Sequence, residues 1–155
     1  MKSSPTSITN NEALATIALG YLFKIHGPIS AAKAVLILPF IFHPPTVKKL
    51  RNNSEKRSLE EFILKNPECF FSFNARFIDQ LAVSINAITI LQEIQVISIL
   101  RDKINFNCNS KFEPEYFQRK IGKRASNFLY AIEKLSDLFI DQNENSLYLK
   151  LKIEL

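Results

Sequence analysis

The stretch LYLKLKIEL, from Leu147 to Leu155, alternates apolar and polar residues with a period of two. Such alternation is typical of a strand with one buried face, because successive side chains of a strand point to opposite sides. Residues 141–145 (DQNEN) precede it as a short polar turn. The sequence therefore predicts a strand-turn-strand, or wing, in this part of the chain.

Two helices are predicted immediately before this turn. The segment from Arg124 to Ile140 is amphipathic, with an apolar face formed by Phe128, Ile132, Leu135 and Phe139. A shorter helical segment, residues 114–120, precedes it, and Gly122 lies between the two. Helix, tight turn, helix and then a hairpin is the order of a winged helix-turn-helix, which binds DNA or other proteins and rarely performs catalysis.

Further helices are predicted from apolar periodicity and capping residues. Ser30 can cap one helix, and Ser58 with Glu61 forms a capping box for another. Pro39 is expected to kink or end its helix, and His43-Pro44-Pro45 is expected to form an extended turn. The remaining predicted elements, in chain order, are helices over residues 11–25, 31–42, 47–51, 59–66 and 75–93 and a hairpin over residues 95–106.

These elements predict a mainly α fold with a small β component. Residues 10–66 would form a helical N-terminal layer and residues 67–155 a winged helix-turn-helix-like half, packed together as one compact unit. Residues 1–9 are expected to be a disordered or extended tail. A chain of 155 residues with 46% hydrophobic content and 13 Phe is large enough to build one such core.

Composition narrows the class of protein. The chain has 20 Lys and Arg against 15 Asp and Glu, so its net charge of +5 permits an acidic partner without requiring one. Cys69 and Cys108 form no CxxC pair, which excludes the common zinc and redox motifs and fits a reducing cytoplasm. The N-terminal residues lack signal-peptide features, and the apolar stretches are shorter than a membrane helix needs. We therefore expect a soluble, cytoplasmic protein.

The sequence predicts no catalytic residue, metal or cofactor. His26 stands beside Gly27-Pro28 and His43 beside Pro44-Pro45, and neither has a cysteine, serine elbow or carboxylate pair nearby at ligand spacing. The three glycines form no phosphate-binding motif. His26 is expected to cap the C-terminal end of the first helix as a cation, which its negative dipole would favour. We expect the protein not to be an enzyme.

Two basic clusters are candidate contacts for nucleic acid or for an acidic partner. The turn cluster precedes and begins the predicted recognition helix, whose N-terminal residues would face a DNA groove; it consists of Arg119, Lys120, Lys123 and Arg124. Ser126, Asn127 and Tyr130 could read bases from the same helix. The loop cluster consists of Lys48, Lys49 and Arg51, with Lys56 and Arg57 beyond them. The alternative for both clusters is a solvated surface that contacts nothing.

The segment over residues 31–42 is apolar on nearly every side apart from Lys33. It belongs either in the centre of a core or at a subunit interface, because either setting removes every face from water. The candidate interface residues are Val35, Leu36, Leu38, Phe40 and Phe42. An aromatic cluster at Phe70, Phe71 and Phe73 could also meet a partner or stack on bases, but packing in the core is the favoured interpretation.

Several segments resemble a known family in their order and spacing. They are Val35-Leu36-Ile37-Leu38-Pro39, His43-Pro44-Pro45-Thr46, Ser58-Leu59-Glu60-Glu61, Phe73-Asn74-Ala75-Arg76-Phe77 and Ser84-Ile85-Asn86-Ala87, and Gly122-Lys123-Arg124-Ala125 extends the similarity. They resemble the small middle component of bacterial three-component ABC ATPase conflict systems, which include Lamassu-type antiphage operons. The resemblance implies a winged-helix accessory subunit encoded beside a large ATPase of the SMC and Rad50 type and a separate effector, often a nuclease.

Three functions remain open at this point. The first is a non-catalytic adaptor of an SMC-like antiphage complex, which links the ATPase to its effector and contacts DNA. The second is an autonomous winged-helix regulator that binds DNA through the turn cluster. The third is an antitoxin-like partner that holds an effector inactive.

Overall fold

The computed structural model describes residues 5–52, 58–121 and 123–155. The helices are α1 (Pro5–His26), α2 (Ala31–Ala34), α3 (Ile37–Ile41), α4 (Pro44–Asn52), α5 (Leu59–Lys65), α6 (Phe73–Glu93), α7 (Pro114–Ile121), α8 (Lys123–Phe139) and α9 (Glu144–Lys150), with a 3₁₀ turn at Pro67–Cys69. The strands are β1 (Ile29–Ser30), β2 (Ile97–Leu100) and β3 (Lys103–Phe106). The expected mainly α fold with a small β component is confirmed.

Three long helices organise the core. α1 packs along both α6 and α8, and α3 fits between α6 and α8. One hydrophobic cluster runs from Leu14 in α1 to Leu151 after α9. The N-terminal helices and the C-terminal half thus share a single core. No helix in the described ranges combines the length and the apolar content needed to cross a bilayer.

The apolar segment over residues 31–42 lies in the centre of this core. Phe40 is fully buried, and its ring lies 4.8 Å from that of Phe73 and 5.7 Å from that of Phe139. Of the candidate interface residues, Val35, Leu36, Leu38 and Phe40 are buried inside the chain and only Phe42 reaches the surface. These four residues therefore belong to the core of the chain and not to a subunit interface, because a side chain buried within the chain cannot contact a partner.

The structure bears out one proline prediction and corrects the other. The helix predicted over residues 31–42 is interrupted at Val35 and Leu36, four and three residues before Pro39, which lacks the N–H that would bond to Val35 O. Pro39 itself falls in the first turn of α3, and Pro44 begins α4 instead of forming an extended turn with His43. The N–H groups of a first turn have no partner within the helix, and proline fits there without loss. The predicted caps are confirmed: Ser30 Oγ accepts from Lys33 N at 3.2 Å and Ser58 Oγ from Glu61 N at 3.1 Å.

The sheet is small and antiparallel, with the strand order β1-β3-β2. β2 and β3 form the predicted hairpin, in which Leu100 pairs with Lys103 and Ile97 with Phe106. The two turn residues, Arg101 and Asp102, have φ values of 48° and 64°. Two consecutive positive φ angles are typical of the tight turns whose twist matches that of the flanking strands.

The predicted C-terminal wing is wrong, because residues 144–150 form the helix α9. Asn143 caps this helix by accepting a hydrogen bond from Ser146 N at 2.7 Å. Leu147 and Leu151 are buried, whereas Leu149 between them is 79% exposed. The winged-helix interpretation is not confirmed. A helix takes the place of the wing, and a single residue, 122, which lies outside the described residues, separates α7 from α8, whereas the turn of a helix-turn-helix has about three or four residues. Residues 5–9, expected in an extended tail, belong to α1.

Gly20 in α1 allows the ring of Phe112 to approach the helix backbone. A Cβ atom at residue 20 would lie 2.4 Å from Cζ of Phe112, far inside van der Waals contact. We expect Gly20→Ala to lower the free energy of unfolding by about 1–3 kcal/mol, the usual cost of overpacking, in urea denaturation. In a Phe112→Ala background the same substitution should cost nothing. An equal cost in both backgrounds would show that this contact is not responsible.

Candidate partner-docking site

A groove lies where α4 packs against α8. It encloses about 440 Å3 and is lined by Ile41, Phe42, Pro44, Val47, Lys48, Arg51, Asn52, Asn127 and Phe128. Its floor is apolar: the rings of Phe42 and Phe128 are 5.7 Å apart, and Val47 is buried beside them. We call this the α4–α8 groove.

The sequence of α4 positions the groove. Pro44 and Pro45 occupy its first turn, and the carbonyl oxygen of His43 accepts from Val47 N at 3.1 Å. Val47 and Leu50 then fall on the buried face, whereas Lys48 and Arg51, three residues apart, share an exposed face. The amphipathic pattern of α4 therefore places two cations on the rim of an apolar groove.

These two cations form no ion pair with any residue that the structure describes. Among the described residues, neither Lys48 nor Arg51 has a carboxylate within 4.0 Å. The remaining polar groups of the rim are the amides of Asn52 and Asn127. The groove therefore offers apolar contact, two positive charges and neutral hydrogen-bonding groups, a combination that is complementary to an acidic peptide with apolar side chains.

The structure divides the predicted loop cluster. Lys49 does not line the groove, and its Nζ lies 3.9 Å from Oε1 of Glu68 in an exposed ion pair. Lys48 and Lys49 also border a second depression of about 270 Å3 with Pro45 and Asn52. Lys56 and Arg57 lie outside the described residues. Of the members of this cluster that the structure describes, Lys48 and Arg51 border the α4–α8 groove and Lys49 does not.

None of the turn-cluster residues whose side chains the structure describes lines the groove. Arg119 on α7 and Lys123 on α8 are exposed, and the side chains of Lys120 and Arg124 lie outside the described residues. Lys123 is one helical turn before Asn127, so the two residues occupy the same face of α8. The fold thus brings one residue of the predicted base-reading set, Asn127, to the groove, and Lys123 lies one helical turn from it along α8.

Sequence reasoning missed the side of the groove that α8 provides. The sequence predicts Phe128 only for the apolar face of its helix and predicts no contact role for Val47. The signal for Phe128 was present in the periodicity, but its neighbour Phe42 is 86 positions away in the sequence, and only the tertiary fold joins them. The aromatic cluster also divides, because Phe73 is buried and Phe71 is 84% exposed.

Both histidines have hydroxyl partners. Nδ1 of His26 is 2.7 Å from Oγ of Ser136 on α8, and Nδ1 of His43 is 2.7 Å from Oγ1 of Thr46. Burial lowers the pKa of both imidazoles, and the positive charge of Lys33 lowers that of His26 further. His26 ends α1, as expected, and its burial disfavours the cationic form that the helix dipole would favour. Within the described ranges, His, Cys, Asp and Glu form no group that could hold a metal ion.

The lowered histidine pKa values predict a pH-dependent stability. As the pH falls, the two histidines take up protons at about pH 6.5 in the unfolded chain and only at a lower pH in the folded chain. The free energy of unfolding therefore keeps its full value above about pH 6.5 and decreases below it. We expect the thermal midpoint to drop between about pH 7.5 and about pH 5. The double variant His26→Gln, His43→Gln, which keeps hydrogen-bonding groups, should reduce this drop. An unchanged slope in calorimetry would contradict the assignment.

Comparison with other proteins gives one match. No curated protein and no solved structure matches this chain. The family described as ABC-three component (ABC-3C) system Middle Component 3 matches residues 9–155. Because this match takes in nearly all of the described fold, from α1 to α9, the chain belongs to the family of middle components of ABC-three-component systems.

Proposed function

We propose that this chain is a non-catalytic adaptor that links an SMC/Rad50-like ATPase of a Lamassu-type antiphage system to its effector. Membership of the middle-component family supports a role beside other components of such a system. The observation that carries the docking role is the α4–α8 groove, which combines an apolar floor with two exposed rim cations that pair with no carboxylate among the described residues. Cytoplasmic location and the absence of catalysis are part of this proposal.

The groove suits a short acidic and apolar segment of a partner. Its volume of about 440 Å3 falls within the range of sites that hold a few side chains. An apolar side chain would contact Phe42 and Phe128, while a carboxylate beside it would pair with Lys48 or Arg51. Fork-shaped guanidinium groups bind carboxylates in two-point contacts, which makes Arg51 the better anchor of the two.

Co-expression tests this proposal. We expect a tagged copy of the chain to co-purify with the ATPase component and with the effector encoded beside it, and mass determination should show a defined assembly. Leaving out the middle component should separate the ATPase from the effector, because an adaptor is what joins them. A chain that elutes alone, as a monomer, from cells containing all three components would contradict the proposal.

DNA binding is the second candidate function. It is favoured by the exposure of Arg119 and Lys123 at the junction of α7 and α8, where a phosphate could meet two cations. We expect affinity for duplex DNA to fall steeply with salt, with a slope of about 0.9 per neutralised phosphate. Arg119→Glu with Lys123→Glu should weaken binding and flatten this slope in fluorescence anisotropy. Unchanged binding by the double variant would reject a DNA-binding role for these residues.

A further inference from the structure

The outward face of α6 carries a regular row of side chains. Its members recur at alternating intervals of three and four residues, which is the spacing that keeps side chains on one face of a helix. They are Ala75, Ile78, Ala82, Ile85, Thr89 and Gln92. All six are exposed, Ile78 by 57% and Ile85 by 51%. We call this the α6 row, and at the rise of a helix it is about 26 Å long.

The composition of the α6 row suits contact with another helix. The row has no charge, and small alanines alternate with isoleucines, so hollows lie between projecting side chains. Helices pack by placing the side chains of one into such hollows of the other. Oγ1 of Thr89 already donates to Ile85 O at 2.9 Å, so Thr89 can be covered without losing a partner for its hydroxyl. Single exposed isoleucines are common, whereas a row with this spacing is typical of a helix–helix interface.

One edge of the α6 row is acidic. Asp79, Asn86 and Glu93 lie beside the row at intervals of seven residues, and all three are exposed. Nδ2 of Asn86 donates to Oε1 of Glu12 on α1 at 3.1 Å, which brings a third carboxylate to this edge. Within the described ranges, no Lys or Arg lies within 4.0 Å of these three carboxylates. A chain with a net charge of +5 thus has a negative edge on this face.

We propose that the α6 row binds an amphipathic helix of another component of the three-component system. The apolar side chains of that helix pack against Ile78 and Ile85, and its flanking lysine or arginine residues pair with Asp79 and Glu93. Apolar spacing of three and four residues is the pattern by which an amphipathic helix is recognised, and the acidic edge selects a basic one. This inference rests on the proposed adaptor function.

The α6 row would give the adaptor a second surface with the opposite charge preference. The α4–α8 groove has two cations on its rim and suits an acidic segment, whereas the α6 row has an acidic edge and suits a basic helix. No residue of α6 lines the groove. Two partners could therefore bind at once, and each would be repelled by the surface meant for the other.

A second copy of this chain fits the α6 row less well. The only basic residue of α6 is Arg76, and its guanidinium donates to Pro39 O and Cys69 O. A second α6 laid against the row therefore brings no cation to Asp79 and Glu93. In an antiparallel two-fold pair the two acidic edges would also face each other, and like charges repel. A basic helix of another component avoids both problems.

Two isoleucine substitutions test the apolar contact. Ile78→Gln with Ile85→Gln removes the projecting side chains of the α6 row and introduces good helix formers. Ile94→Gln with Ile140→Gln is the matched control, because these isoleucines are 57% and 58% exposed and lie outside the row. Each variant is titrated with the purified ATPase component and with the effector. We expect the first pair to lose at least about 30-fold in affinity for one of them, because binding buries the exposed part of each isoleucine, and the control pair to lose less than about threefold.

A charge reversal tests the basic character of the partner helix. Asp79→Lys with Glu93→Lys should weaken binding of the same component at least about tenfold, because the new ammonium groups repel its basic residues. Asp137→Lys with Asp141→Lys makes the same change in net charge at two exposed positions in and after α8, and it should change the affinity less than about threefold. Equal losses from both pairs would contradict a docking role for the acidic edge.

Other outcomes separate this inference from the adaptor function. Full affinity of the Ile78→Gln, Ile85→Gln variant for both components, in a complex that still forms, would overturn the α6 contact and leave the adaptor function standing. A mass of the free chain that doubles with concentration, and stays monomeric in this variant, would show that a second copy covers the row instead. Failure of any complex to form would reject both proposals. Circular dichroism verifies that each variant is folded, and the charge reversal decides the question if the isoleucine pair is not.

Discussion

Arg76→Met is expected to lower the free energy of unfolding by about 2–4 kcal/mol, because it removes donors that satisfy partly buried carbonyl groups. Nε of Arg76 donates to Pro39 O at 3.1 Å and a terminal nitrogen donates to Cys69 O at 2.7 Å. A third hydrogen bond reaches Oγ of Ser72, and the guanidinium lies 5.5 Å from the ring centre of Phe73. One side chain therefore joins α6 to α3 and to the 3₁₀ turn.

Urea denaturation followed by circular dichroism measures this effect. Arg76→Lys keeps the charge, but a single ammonium group cannot reproduce the planar fork that spans two carbonyls, so it should restore only part of the stability. Arg119→Met is the control, since Arg119 is exposed and a surface substitution usually changes stability by less than about 0.5 kcal/mol. If Arg76→Lys were as stable as the natural chain, charge and not fork geometry would explain the contribution of Arg76.

The elements that sequence predicted well are those with local signals. α5 has a serine cap and α6 has apolar periodicity, and the hairpin has β-branched residues around a two-residue turn. These features act within a few residues of one another, so their physics is visible in the sequence. The apolar core segment was also predicted, together with an interruption caused by Pro39, which the structure places at Val35 and Leu36.

The C-terminal helix shows why local pattern can mislead. Alternation with a period of two also places Leu147 and Leu151 four residues apart, on one face of a helix. Tyr148 adds contacts that hold this helix against the rest of the fold: its hydroxyl donates to Ala32 O at 2.8 Å and its ring lies 6.0 Å from that of Phe77. Both partners are distant in sequence, so no local signal could have revealed them.

The α4–α8 groove was predictable only in pieces. Lys48, Arg51 and Phe42 were each candidate contact residues, for different reasons and without an expected connection between them. Phe128 completes the floor from α8, and Lys49, a candidate by its charge, is directed to Glu68 instead. Sequence identifies residue types that can bind, whereas tertiary packing determines which of them share a surface.

Reversing both rim charges of this groove, by Lys48→Glu with Arg51→Glu, is expected to weaken binding of the chain to its partner component by about 100-fold, or about 2.7 kcal/mol. Neither cation has a carboxylate within 4.0 Å among the described residues, so the reversal breaks no ion pair inside the chain. Both side chains are exposed, and α4 should fold unchanged. The loss then reports repulsion between the new carboxylates and an acidic partner segment.

Arg119→Glu with Lys123→Glu is the matched comparison, because it changes the net charge equally at two exposed positions outside the groove. Titration calorimetry with the purified ATPase component, and separately with the effector, gives the affinity of each variant. A loss of affinity with the groove pair alone would identify the α4–α8 groove as the docking site. General attraction to an acidic partner would instead lower the affinity of both double variants and would diminish with salt. Loss with the turn pair alone would assign docking to the junction of α7 and α8, and full affinity with the groove pair would overturn the role of Lys48 and Arg51.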